Sequence, residues 1–215
     1  MKTIKITLKN NKLKSIKKAV LILKNSLKKG DIIITKPRLS NIKLKILHFP
    51  SFIISKLSRG ITHSCLYLGD ENILEIGHTI LDPDIQKISI EEFLKCKIRL
   101  FSGVTVYILH PKNYKIHQRN LVLKIAVDEF LKRSKSLVFS YLNMFHVAFN
   151  LLFKKKVYIK KEILLFKKDW NCSELISYTL KKAGIKIGKR RTSLFLPSTF
   201  IFSNHFKIKK KLILK

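Results

Sequence analysis

Residues 170 to 184 read WNCSELISYTLKKAG and place a thiol where a helix is expected to begin. Asn171 is a good N-cap, Glu174 three residues on completes a capping box, and Leu175, Ile176 and Leu180 supply an apolar face. Cys172 is therefore expected as the first helical residue. Free N–H groups and the positive end of the helix dipole favour a thiolate there, and the same groups can hold the oxyanion of an acyl-transfer intermediate. The plainer alternative is a buried structural thiol, a common fate of cysteine.

A cysteine nucleophile needs an imidazole within hydrogen-bond reach and a third group to orient that ring. The chain has seven histidines. His63 stands inside an expected strand between Thr62 and Ser64, where an imidazole is an odd choice for simple packing. His78, His110, His117, His146 and His205 have ready surface readings, and His48 precedes Phe49 and Pro50 in an irregular stretch. The third group depends on one hairpin register. ITHSCLYLG, 61 to 69, and ILEIG, 73 to 77, should pair antiparallel around Asp70, Glu71 and Asn72. With Leu68 opposite Asn72, Glu75 faces Cys65 and lies diagonal to His63 on the same side. A slip of one residue puts His78 there instead. Cys65 shares the face of His63 and is a rival thiol, but a strand interior offers no ring of free N–H groups.

The elements that must position these residues can be read along the chain. Leu13, Ile16, Val20, Leu23 and Leu27 recur at helical spacing between lysines, with Gly30 as a stop. GDIIIT, 30 to 35, is a strand, as is VTVYILH, 104 to 110. Ser89 and Glu92 form a capping box that opens the helix IEEFLKC, and LVLKIAVDEFLKRS, 121 to 134, is a second amphipathic helix. The apolar stretch 136 to 153, interrupted by Ser140, Asn143, His146 and Asn150, predicts a third helix too short and too polar for a membrane span. FKIKKKLIL, 206 to 214, is expected as an edge strand whose lysines discourage aggregation. Strands between 30 and 110 with helices before and after predict an α+β domain built on an antiparallel sheet. Its parts are an N-terminal amphipathic helix over 1–29, a main domain over 30–205 carrying a lysine-rich helical insertion at 136–168, and a basic strand or tail over 206–215.

Composition narrows the classes. Hydrophobic residues make up 46% of the 215, enough for a sizeable core despite a formal charge of +32. That charge suits phosphates of nucleic acid or of an anionic lipid surface. The lysines are scattered among Ile, Leu and Asn, however, and composition bias accounts for them more simply than a dedicated phosphate site. Three cysteines with no CxxC, and no Cys/His pair at metal spacing, point to neither a disulfide framework nor a zinc site. No Gly-rich phosphate loop occurs, and no cofactor is expected. The first 30 residues offer no uninterrupted apolar core of a Sec signal, so a cytoplasmic location is expected.

GDIII, THSCLYLG, LEIGHT, NCSELISYTLKKAG and LPSTF, in this order, resemble the successive motifs of circularly permuted papain-like cysteine hydrolases. The resemblance is to the YiiX/YebB-like branch of the NlpC superfamily, with lecithin retinol acyltransferase more distant. It covers roughly 30 to 200. It implies a permuted papain-like fold, with Cys172 as nucleophile, His63 as base and Glu75 as the residue orienting the base. Ser140 and Tyr141 stand near a Tyr-Asp pair of relatives, without its aspartate, and the insertion 153–168 is unlike the compact enzymes. The implied activity is hydrolysis of a peptide-type amide through an acyl-enzyme. A lipid acyl hydrolase or acyltransferase at an anionic membrane surface is the alternative within the same site, and a basic nucleic-acid-binding module the alternative outside enzymes.

Overall fold

Short β-branched runs build the centre of the structure. The computed structural model describes residues 2–8, 12–38, 59–76, 85–101, 103–132, 138–139, 169–188 and 195–215. In chain order these form β1 (Lys2–Ile6), α1 (Lys12–Lys24), β2 (Ile32–Pro37), β3 (His63–Gly69), β4 (Asn72–Ile76), β5 (Ile85–Ser89), α2 (Ile90–Leu100) and β6 (Val104–Pro111). They continue with α3 (Ile116–Ile125), which runs into a π-helical stretch at Ala126–Leu131, then β7 (Val138–Phe139), β8 (Asp169–Trp170), α4 (Cys172–Lys182), α5 (Pro197–Phe202) and β9 (Phe206–Leu214).

Seven strands make one sheet in the order β1-β9-β6-β2-β3-β4-β5, and β7 pairs with β8 separately. The protein is α+β as expected, but the main sheet is mixed. β1 runs parallel to β9, Lys2 opposite Lys210 through Ile6 opposite Leu214, while the other neighbours are antiparallel. The reason is α1, which carries the chain back so that β1 and β2 point the same way. β9, antiparallel to β6, then meets β1 in parallel. The lysine-rich β9 is thus an interior strand and not the expected edge.

Alternation along the strands divides the core into two layers. Ile33, Cys65, Tyr67, Ile73, Val106 and Ile108 pack with Ile16, Ala19 and Leu23 of α1 and with Ile90, Phe93, Leu94 and Ile98 of α2. On the other face Ile32, Ile34, Leu66, Leu74 and Leu109 pack with Val122 and Ile125 of α3 and with Leu175, Ile176 and Leu180 of α4. The inward stripe of α1 is Ile16, Ala19, Leu23, and Leu27 just beyond it. Leu13, expected on that stripe, is half exposed, because the small Ala19 lies on the line that meets the sheet.

The hairpin shows how two local demands are reconciled. Asp70 and Glu71 have φ of 50° and 64°, the two-residue loop whose twist matches antiparallel strands. Such a loop sets Gly69 opposite Asn72, whereas apolar alternation sets Leu66 opposite Leu74 and Tyr67 opposite Ile73. The one-residue difference is absorbed as a bulge between Tyr67 and Gly69. The expected Leu68–Asn72 pair is therefore replaced at the turn, while the pairing deeper in the strands keeps the register that brings Glu75 toward His63.

Of the expected helix at 136–153, residues Val138–Phe139 are a short strand parallel to β8; the rest of the segment lies outside the described residues. The insertion 153–168, His48, His78, Ser140, Tyr141 and His146 also lie outside them. Among the described residues no helix is long and apolar enough to cross a membrane.

The two ends of α1 should differ in their effect on stability. Leu23→Ala, at a fully buried position, is expected to cost about 2–5 kcal/mol in urea denaturation, and Leu13→Ala within about 0.5 kcal/mol.

Candidate active site

The cysteine helix begins as its sequence requires. Asn171 is extended, and its Oδ1 accepts from the Glu174 N–H at 2.7 Å. The Asn171 amide in turn donates to Glu174 Oε2 at 3.5 Å, and the Ser173 hydroxyl lies 2.6 Å from the Phe195 carbonyl oxygen, tying the helix start to the segment before α5. With the Glu174 N–H capped, the N–H groups of Cys172 and Ser173 stand at the open end of the helical ladder. Cys172 is buried at 6% exposure.

His63, the first residue of β3, is where the two core layers meet. On the α2 side its Nε2 lies 2.7 Å from Oε1 of Glu75, whose side chain is fully buried. The ring N–H is off the line to that oxygen, so the contact is chiefly one of charge. The same Oε1 lies 2.8 Å from the Lys97 ammonium, itself only 7% exposed. On the α4 side, Cys172 lies close enough to His63 and Ser64 for both to act on its thiol. The buried Ser64 hydroxyl, beside that sulfur, has no partner of good hydrogen-bond geometry. The alternation of β3 and β4 therefore brings His63 and Glu75 together on one face, and the helix start brings Cys172 to the ring from the other.

Electrostatics separate the two thiols that share this imidazole. Burial pushes both upward. For Cys65 burial prevails over the opposing pull of His63, and its thiol lies above the ordinary value. For Cys172 burial is outweighed by the His63 charge and by the nearness of the His63 and Ser64 polar groups, so its thiol lies below the ordinary value. Burial alone would depress His63, and Lys97 acts the same way. Cys65, Cys172 and Glu75 together outweigh them and hold the ring well above 6.5. A thiolate–imidazolium pair at Cys172 and His63 is the form these interactions favour.

Lys97 was not among the residues singled out from the sequence. A signal was present: in IEEFLKCKIRL the helical stripe Ile90, Phe93, Leu94 places a lysine at its next turn. In a chain so rich in lysine, one more carries little weight. His63, Cys65 and Glu75 also bring one ligand atom each to within 4.8 Å of one another, a donor set able to attract a cation. The Lys97 ammonium already sits on its carboxylate. Elsewhere, a recess of about 460 Å³ is lined by Lys181, Gly184 to Gly188 and His205, and touches none of Cys172, His63 and Glu75.

No family model and no curated protein matches the chain.

The opposite shifts of the two thiols set an expected order of reactivity. At a given pH Cys172, whose thiol is lowered, holds more thiolate than Cys65, whose thiol is raised. At pH near 6.5 iodoacetamide should label Cys172 at least about tenfold faster than Cys65, as read by peptide mass spectrometry. Asn171→Ala should cost about 1 kcal/mol in stability and slow that labelling.

Proposed function

We propose that the protein is a thiol hydrolase of the permuted papain-like kind, cleaving a peptide-type amide through an acyl-enzyme. The observation that carries the reading is the convergence on one imidazole of a carboxylate, 2.7 Å from Nε2, and a buried thiol at a helix start on which the same ring acts. Cys172 attacks the carbonyl carbon as the thiolate. The N–H groups of Cys172 and Ser173, at the positive end of α4, are suitably aimed for the oxyanion that forms. His63 gives its proton to the departing amine, then takes one from the water that attacks the thioester, and Cys172 is released as thiolate. Glu75 holds the ring by its Nε2 edge, leaving Nδ1 for the thiol, and stabilises the imidazolium in both half-reactions.

The order GDIII, histidine strand, hairpin, cysteine helix and LPSTF supports the fold part of this reading. The histidine strand and cysteine helix pack together, and Phe195 of the segment before α5 clasps the helix start through Ser173.

Acyl transfer from a peptide ester or other reactive acyl ester to the enzyme thiol tests the reading. Cys172→Ala should abolish formation of the acyl-enzyme, seen by intact mass. His63→Ala should slow it by roughly 10² or more with the fold retained by circular dichroism. Glu75→Gln should lose less than either, since the amide oxygen still faces the ring but no longer stabilises its charge. Acylation of the Cys172→Ala protein at an undiminished rate would remove the assignment.

A further inference from the structure

Lys97 takes no part in the proton and acyl transfers described above, yet among the described residues it is the one lysine or arginine that is buried. It continues the inward stripe of α2, with its ammonium 5.1 Å from the centre of the Phe93 ring and 2.8 Å from Glu75 Oε1. That oxygen is the one 2.7 Å from His63 Nε2. The result is a buried row of ammonium, carboxylate, imidazole and thiol, in which each charge lies beside its opposite. Among the described residues, the titratable groups facing the row are His63 and Cys65 from β3, Glu75 from β4, Cys96 and Lys97 from α2, and Cys172 from α4.

The row holds together only if its charges alternate to the end. Among the described residues, taking Lys97 away would leave two anions, Glu75 and the Cys172 thiolate, around one imidazolium in a buried site. A buried excess charge is relieved by taking up a proton. Whether that proton goes to Glu75 or to the thiolate, the reactive pair suffers: a neutral carboxyl no longer anchors the imidazolium, and a neutral thiol no longer attacks. The ammonium also occupies the place of a cation beside the His63, Cys65 and Glu75 donors, so the site carries its own positive charge.

We propose that Lys97 is a positioning residue of this site, acting through Glu75: its ammonium keeps the Glu75 carboxylate ionised and aimed at His63, and so sustains the Cys172 thiolate. The proposal rests on the catalytic reading of Cys172 and His63. The test measures the thiolate directly and so needs no substrate. The full chain is treated with a limiting dose of iodoacetamide from about pH 5 to pH 9, and the rate at Cys172 is followed by peptide mass spectrometry, with circular dichroism reporting the fold.

In Lys97→Met the rise of Cys172 labelling should move up by about one pH unit or more, a loss of about tenfold at its acid foot. A folded Lys97→Met protein with the wild-type profile would overturn the proposal. If that variant does not fold, Glu75→Gln/Lys97→Met, which removes both charges together, is compared with Glu75→Gln. Profiles that agree within about twofold support action through Glu75, and a further tenfold loss in the double variant refutes it. Wild-type protein in which Cys172 labels no faster than Cys65 would instead undo the catalytic reading itself, a result separate from either outcome for Lys97.

Discussion

One carboxylate oxygen, Glu75 Oε1, holds two cationic groups at 2.7 and 2.8 Å in the interior of this protein, and the arrangement of the site follows from that demand. A carboxylate removed from water is tolerated only where positive charge and hydrogen bonds surround it. β3 supplies the imidazole, α2 the ammonium, and β4 the carboxylate, so three elements are bound to one register. A slip of β4 by one residue would turn Glu75 to the opposite face, leave Lys97 buried without its partner, and cost about 3–5 kcal/mol. The ion pair thus helps to specify the hairpin, and the hairpin specifies the site.

The sheet gives the site its second property. Cys65 and Cys172 belong to different core layers, yet both interact with His63 at the start of β3. The two thiols are both free and buried, and what separates them is their neighbours: Glu75 adds to burial in raising Cys65, whereas Ser64 joins His63 in lowering Cys172. Cys65 has its amide committed to a β ladder; Cys172 opens a capped helix.

Much of this was legible in the sequence because the relevant signals are local. The cap at Asn171, the capping serine at Ser89 and the β-branched runs each depend on a few adjacent residues, and the structure places them as expected. The Glu75 side of the hairpin was legible through alternation, although the bulge at Leu68 was not, since it comes from a conflict between turn and strand that neither shows alone. β1 and β5 escaped notice for different reasons: KTIKI looks like part of a lysine-rich leader, and IQKIS merges into the helix it precedes. β9 looked like an edge strand because its lysines suggested protection, when Lys209 instead pairs with Asp31 and the Lys211 ammonium lies over the Tyr107 ring. Lys97 was hidden by abundance. Where lysine is everywhere, only its burial reveals it.

The parallel pairing of β1 with β9 has a consequence for the order in which the molecule assembles. It joins Lys2 to Lys210, at nearly opposite ends of the sequence, so the loop it closes is the longest in the sheet and has the largest closure entropy. β1 can dock only on a β9 already seated against β6, and its own residues are mostly open to solvent. It is therefore the last strand to join in folding and the first to leave in thermal fluctuation, with amides that exchange sooner than those of β2 and β3. The strands that hold the imidazole and the carboxylate in register lie on the far side of β6, sheltered from that fraying.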